Sequence, residues 1–156
     1  MEQVEHDHPG VIARPPLIYL AALAVGLVPE FLWPSDMLSV PRRLVLGLFF
    51  IASGASLMGL AIREFKKAET HFRTDRPVTA IITTGPFRIT RNPIYIALSL
   101  IYVGIAVGLD SLWVLAMLVP VLIVIRYGVI AREERYLESK FGDGYRSYKS
   151  SVRRWL

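Results

Sequence analysis

Cysteine is absent from the chain. That excludes disulfides, thiolate metal sites and a cysteine nucleophile. Histidine is scarce, with three in 156 residues. His6 and His8 flank Asp7 near the start; they could chelate a metal, but a solvated mobile tail is much the plainer reading. His71 stands alone in a connecting segment, where it could accept a proton or do nothing chemical. Acidic residues are outnumbered, 13 Asp and Glu against 18 Lys and Arg. Residues 1–14 lack the basic opening of a secretory signal peptide and read as a short cytoplasmic tail. There is no internal repeat and no low-complexity segment.

What the chain has in excess is apolar residues, at 53% of the total. Mean hydropathy is +0.43, above the usual soluble range. Net charge is +5. Greasy and basic together point to a membrane protein with Lys and Arg on its cytoplasmic side. They leave little room for the basic soluble face that a nucleic-acid binder needs. The length suggests one domain, residues 1–156.

Four apolar runs follow one another. Pro15 and Pro16 sit where a helix can begin, because the first turn needs no amide donors. Residues 17–33 are then apolar except for Glu30, and Pro29 should bend the far end. Residues 34–41 read as a loop. Residues 44–62 form the second run, dense in small residues (Gly47, Ala52, Ser53, Gly54, Ala55, Ser56, Gly59) that let helices approach closely in lipid. This helix should continue to Lys67. Residues 94–109 and 112–130 are the third and fourth runs, folded back at Asp110-Ser111 as a helical hairpin. Pro120 interrupts the fourth, which should run on to about Lys140.

The expected architecture is therefore an all-α bundle of four transmembrane helices. Its parts are a tail (1–14), two spans (15–67), a cytoplasmic loop (68–92), a hairpin with its extension (93–140) and a polar C-terminal tail (141–156). Ile81-Ile82 in the loop could dip into the membrane interface. With four spans, fifteen basic residues fall on one side and two, Arg42 and Arg43, on the other. The bias makes the first side cytoplasmic and puts both termini there. Trp33 and Trp113 then mark the outer interface and Trp155 the inner one.

Residues with chemical potential gather on the cytoplasmic side. Arg126 lies inside the fourth run, where an arginine costs about 2.5–3.5 kcal/mol on insertion scales unless it faces a polar interior or snorkels. On a regular helix it shares a face with Glu133, seven residues on. Glu133-Glu134 point about 100° apart, so one can face a pocket while the other pairs with an arginine; a solvated face with local ion pairs is the plainer reading. Asn92-Pro93 can be a helix start, with Asn as cap. Free amides there also suit a carboxylate. Gly104 and Gly108 carry small-residue spacing for helix packing.

Two strings then stand out together. One is Thr84-Gly85-Pro86-Phe87-Arg88-Ile89-Thr90-Arg91-Asn92-Pro93-Ile94-Tyr95. The other runs Arg132-Glu133-Glu134-Arg135-Tyr136-Leu137, then Phe141-Gly142, Tyr145 and Tyr148, and closes with Val152-Arg153-Arg154-Trp155. Across one helical hairpin, they resemble the signature of integral-membrane methyltransferases related to isoprenylcysteine carboxyl methyltransferase and phospholipid methyltransferase. The likeness covers about residues 79–156; the first two spans agree only in character.

The resemblance implies an S-adenosylmethionine pocket on the cytoplasmic side. Carried over, it points to Gly85, Pro86, Arg91, Asn92, Pro93, Tyr95, Glu133 and Glu134 as cofactor-binding residues. Asn92 stands where many members have histidine, which argues against base catalysis there. Ala97 stands where many have glycine, and should narrow the approach of cofactor to helix. Arg91 or helix-start amides suit the cofactor's carboxylate, and a glutamate its ammonium or ribose hydroxyls. Arg126, Glu133 and Glu134 are the catalytic candidates: Arg126 anchors a carboxylate acceptor, and a glutamate takes the proton of an amine. No metal is required. The expected partners are membrane lipids and a lipophilic or amphiphilic acceptor, whether a prenyl-cysteine-like carboxylate, a phospholipid amine or a small thiol. Two alternatives stand beside this. Membrane sterol reductases have a similar C-terminal pattern and use NADPH, though usually with more spans. A non-enzymatic four-span protein is the other.

Overall fold

The computed structural model describes residues 9–70 and 78–155. His6, Asp7, His8 and His71 lie outside the described residues. Five helices carry the fold: α1 (Pro15–Leu32), α2 (Val40–Lys67), α3 (Pro93–Gly108), α4 (Leu112–Phe141) and α5 (Asp143–Ser151). A single 3-10 turn, Gly85–Arg88, precedes α3. Among the described residues the one β pairing is an isolated bridge between Thr90 and Arg153.

Proline opens three of the helices, through Pro15, Pro16, Pro41 and Pro93. Pro41 belongs to α2, so that helix begins at Val40 and not at the apolar run from residue 44. Three helices are long and apolar enough to cross a membrane: α1, α2 and α4. α3 has 16 residues. At 1.5 Å per residue it reaches roughly 24 Å, short of a hydrocarbon core of about 30 Å.

α4 is irregular in two places. Pro120 has no N–H for the carbonyl of Ala116, and its ring crowds that carbonyl. The α-helix accordingly breaks at Met117. Farther on, Ile125–Ile130 form a π turn before α-helix resumes at Ala131. Residues 112–130 are the apolar length of α4; residues 131–141 continue it as a polar helix outside that length.

α3 packs more extensively on α2 than on its hairpin partner α4. Small residues make this possible. A Cβ on Gly54 would lie 2.7 Å from the Ala97 carbonyl oxygen, and one on Gly104 2.7 Å from that of Gly47. Backbones that close leave no room for a side chain at Gly54 or Gly104. α1, α3 and α4 meet around Tyr19, Tyr95, Tyr102, Ile125 and Val129. The tyrosines are satisfied there. Tyr102 donates to the Val114 carbonyl at 2.9 Å, and the Tyr19 hydroxyl lies 2.9 Å from Ser99 Oγ. The outward faces of α1 and α2 expose Leu20, Val28, Phe31, Val45, Leu48 and Phe49. Lipid suits that band and water does not.

One end of the bundle is tied by Glu30 and Asp110. Glu30 accepts from the Ser35 amide at 2.6 Å and from Ser111 Oγ at 2.6 Å. Asp110 Oδ2 accepts from the amides of Met37 and Leu38. Trp33 and Trp113 sit together at this end, with Trp113 Nε1 donating to the Trp33 carbonyl. The signature strings are at the other end. There the segment expected to be a polar tail folds as α5, with Tyr145 and Tyr148 buried. Ile82 leaves the loop for a small core with Ala61 and Phe87 rather than for the membrane interface.

Candidate active site

A cavity of about 500 Å³ opens at the end of the bundle opposite Trp33 and Trp113. Its wall has two characters. Arg91, Asn92, Glu133, Glu134 and Tyr145 form the polar part, and Leu17, Met58, Phe65, Ile94 and Leu98 the apolar part. The lining draws on α1, α2, α3, α4 and α5 and on the loop before α3.

Of the residues expected at the site, Arg91, Asn92, Pro93, Tyr95, Glu133 and Glu134 line this one cavity. The hairpin of α3 and α4 brings the two strings together. Tyr95 rises from the first turn of α3 and donates to Glu133 Oε1 at 2.6 Å. Glu133 lies in the polar continuation of α4, where desolvation raises its carboxyl from 4.5 to about 7. The Tyr95 hydrogen bond works against that rise, and the neighbouring Glu134 charge adds to it.

Glu134 is held differently. Arg154 grips it with two bonds, Nε to Oε1 at 3.0 Å and Nη2 to Oε2 at 2.6 Å. Arg91 Nη1 lies 3.0 Å from Oε1, with both side chains about nine-tenths buried. This is a charge contact without hydrogen-bond alignment: among the described residues, Arg91 Nε and Nη1 have no hydrogen-bond partner. The Glu134 carboxylate is thus fully engaged by two guanidiniums, while Arg91 keeps buried donors at the cavity wall. A buried donor with no acceptor costs roughly 1–3 kcal/mol. An anionic ligand group would relieve it.

Arg154 was not among the expected site residues, although it lies in the closing stretch of the quoted string. The C-terminal residues 152–155 dock on the signature loop. The Arg91 amide donates to the Arg153 carbonyl at 2.9 Å. Thr90 Oγ1 and Asn92 Nδ2 donate to the Arg154 carbonyl at 3.0 and 2.9 Å. Asn92 therefore spends its side chain on the C-terminal segment and does not cap α3. Tyr148 seals the same region by donating to the Phe87 carbonyl at 2.8 Å. Burial pushes the Tyr145 hydroxyl up to about 12, with the Glu134 charge adding to the rise and Arg91 opposing it.

Three expected residues lie elsewhere. Gly85 and Pro86 are outside the cavity lining, and Phe87 takes that place. Gly85 has φ +58, and a Cβ there would sit 2.8 Å from Glu64 Cγ. Its role is to let the turn fold over Glu64, which accepts from Thr84 Oγ1 and Lys67 Nζ at the end of α2. Arg126 is exposed, with its guanidinium 5.3 Å from the centre of the Tyr127 ring. It would share a face with Glu133 on a regular helix; the wider π turn between them breaks that register. Ala97 is fully buried against α2 and takes no part in the cavity.

Comparison with known proteins bears on the same residues. A protein of Haemophilus influenzae described as uncharacterised is 49% identical over 63 residues, covering 40% of this chain and 98% of that protein. No solved structure matches. The phospholipid methyltransferase family matches residues 42–144. That stretch holds α2, the signature loop, α3, α4 and both strings as far as Gly144, and leaves out α1 and the Arg154 clamp. With the loop and the glutamate pair converging on one cavity inside the matched region, the chain belongs to the phospholipid methyltransferase family.

Proposed function

We propose that this protein transfers a methyl group from S-adenosylmethionine to a lipophilic or amphiphilic acceptor at the cytoplasmic face of a membrane. The observation that carries the reading is the cavity's mixed lining: unsatisfied buried donors of Arg91 and the Glu133 carboxylate beside side chains of lipid character. A volume of about 500 Å³ is in the range of cofactor sites. The cofactor carries a carboxylate, an ammonium and a sulfonium. Arg91 Nε and Nη1 would take the carboxylate, and Glu133 the ammonium or ribose hydroxyls. Bound there, S-adenosylmethionine supplies a methyl group on a positively charged sulfur.

The chain's own residues then position and desolvate. Methyl transfer disperses charge and asks for no protein nucleophile, so alignment and exclusion of water supply most of the rate. Glu133, near neutrality, can accept the proton of an amine acceptor. Glu134 keeps Arg91 in place through the shared clamp with Arg154. The apolar wall at Leu17, Met58 and Leu98 takes the acceptor's hydrocarbon.

Topology is part of the same reading. The excess of Lys and Arg at the cavity end supports a cytoplasmic position for it and for both termini. In this reading α3 makes a fourth crossing despite its 16 residues, its shortness being met by local thinning of the bilayer, with its first turn at the inner interface. Calorimetric titration of the purified protein, followed by radiolabelled methyl transfer to a panel of phospholipid amines, prenyl-cysteines and thiols, tests the function. Micromolar S-adenosylmethionine binding with transfer to at least one acceptor is expected. Binding of NADPH without S-adenosylmethionine binding would overturn it.

A further inference from the structure

A second hollow adjoins the candidate active site. It is an open groove of about 390 Å³ between the 3-10 turn and α5, and its walls include Thr83, Arg88, Ser147, Tyr148 and Ser151. Tyr148 also lines the active-site cavity, so the two hollows share that residue. The groove is built by the docking of α5 on the turn. Tyr148 donates to the Phe87 carbonyl at 2.8 Å, and the bridge between Thr90 and Arg153 holds the far end of α5 to the same loop. Phe87 is buried in the small core, and the next side chain, Arg88, is exposed.

The charges around the groove are unevenly matched. On α5, Arg146 pairs with Glu138 and Asp143, and Lys149 pairs with Glu138. Arg154 is taken by Glu134. Arg88 is the charged residue of the groove lining, which contains no carboxylate. Among the described residues, the Arg88 guanidinium and the hydroxyls of Thr83 and Ser147 have no hydrogen-bond or ion-pair partner. Ser151 Oγ donates to the Tyr148 carbonyl at 3.0 Å.

One planar guanidinium fork and two free hydroxyls suit a phosphate: the fork takes two oxygens and the hydroxyls reach others. A lining without a carboxylate offers nothing to the ammonium of a zwitterionic headgroup, so it favours an anionic one. Ile89 decides between a lipid and a free phosphate. It follows Arg88 directly and is 67% exposed, and α3 begins four residues on, at Pro93. A cation next to an exposed apolar side chain fits the boundary between headgroups and hydrocarbon of an anionic leaflet.

We propose that this groove binds the phosphate of an anionic phospholipid, gripped by Arg88, with Thr83 and Ser147 donating to its oxygens. The site rests on the reading of the signature end as the cytoplasmic, membrane-apposed end and does not depend on the identity of the methyl donor. A lipid seated here spans the joint between the turn and α5, and so ties together two walls of the active site.

Native mass spectrometry of the detergent-solubilised protein, titrated with phosphatidylglycerol, tests this. Retention of one phosphatidylglycerol is expected, together with a rise in melting temperature. Arg88→Gln should weaken retention roughly tenfold and abolish the rise. Thr83→Ala with Ser147→Ala should weaken it roughly threefold. All three positions are exposed, so the variants fold. Arg126→Gln, an exposed arginine outside the groove, should stay within about twofold of the parent. Equal retention by the parent and Arg88→Gln would overturn the site. Phosphatidylcholine held as tightly as phosphatidylglycerol would overturn its anionic preference, and inorganic phosphate held as tightly would make it a site for free phosphate and not for lipid. S-adenosylmethionine titration of the same samples separates this from the function above. Lipid retention that depends on Arg88, without cofactor binding, keeps the lipid site and removes the methyl-donor reading. Cofactor binding with lipid retention indifferent to Arg88 removes the lipid site alone.

Discussion

The Tyr95 hydroxyl donates to Glu133 Oε1 at 2.6 Å, joining the first turn of α3 to the polar continuation of α4. The carboxylate it meets is the cavity's glutamate outside the arginine clamp. Its proton affinity, raised to about 7 by desolvation, has a consequence for stability. The folded protein holds a proton that the unfolded chain releases between about pH 4.5 and 7. The folded state therefore loses stability as pH rises through that window. Glu133→Gln removes the dependence. Its stability in detergent, followed by thermal or denaturant unfolding, should match the parent's near pH 5 and exceed it at pH 8 by an amount on the order of 1–3 kcal/mol. A difference that stays flat from about pH 5 to 8 would count against a desolvated, proton-holding Glu133. In Tyr95→Phe the carboxylate loses its donor, so the upper edge of the window should move upward.

Arg91 and Arg126 make a paired test of site assignment. Arg91 is buried at the cavity with unpartnered donors; Arg126 is exposed beside Tyr127. Arg91→Ala should lower S-adenosylmethionine affinity at least tenfold, a loss of about 1.4 kcal/mol. Arg126→Ala should leave it within twofold. Isothermal titration distinguishes them, and equal losses in both would sink the geometry.

The clamp on Glu134 predicts a role for the C-terminal segment. Arg154→Ala leaves a buried carboxylate with only the misaligned Arg91 contact. Breaking one side of a buried pair costs about 3–5 kcal/mol. Arg154 is 31% exposed on its side chain, so screening should reduce this to about 1–3 kcal/mol. Cofactor affinity should fall as well, because Arg91 is drawn onto Glu134. Arg154→Lys should rescue little, since an ammonium lacks the two-pronged grip. Full activity and an unchanged melting temperature in Arg154→Ala would refute the clamp.

Much of this site can be read in the residues, and the unread part has a physical cause. Pro15, Pro93 and the small residues of α2 act locally, so helix starts and close packing follow from them. The hairpin turn at Asp110-Ser111 brings Asn92-Tyr95 to the level of Glu133-Glu134 by length alone. Glu134's second partner is another matter. Arg154 is twenty residues away, across a positive-φ glycine, Gly142, and a helix of its own; no spacing rule links such a pair. The π turn leaves no mark in an apolar run either, yet it rotates Arg126 away from Glu133.

Close packing of α2 on α3 can be broken by one methyl group or a little more. A Cβ at Gly54 meets the Ala97 carbonyl at 2.7 Å and Ile101 Cγ1 at 2.8 Å. The first contact is backbone and cannot give way cheaply. Gly54→Ala should cost about 1–3 kcal/mol, as overpacking does, and Gly54→Leu should prevent assembly of the bundle. Gly59, whose Cβ would meet nothing within 4 Å, is the control: Gly59→Ala should be neutral or slightly stabilising. Thermal denaturation followed by size-exclusion chromatography reads both. Comparable losses at the two positions would contradict the packing.

The apolar wall predicts how the acceptor is chosen. Leu17 comes from α1, Met58 from α2 and Leu98 from α3, so three helices share the apolar lining of the cavity. Arg91 and Glu133 belong to its polar lining. A larger side chain on the apolar wall should therefore act on the acceptor and not on the cofactor. Met58→Trp shortens the space available to a chain. Each excluded methylene forfeits about 0.8 kcal/mol, so losing two or three costs about 2 kcal/mol, or roughly thirtyfold in the KM of a long-chain acceptor. S-adenosylmethionine affinity should stay within twofold, and a short-chain acceptor should be affected much less. Steady-state methylation across an acyl-length series, with cofactor titration alongside, reads all three quantities. If cofactor affinity falls in step with acceptor KM, or if all chain lengths suffer alike, the hydrocarbon of the substrate lies somewhere other than this wall.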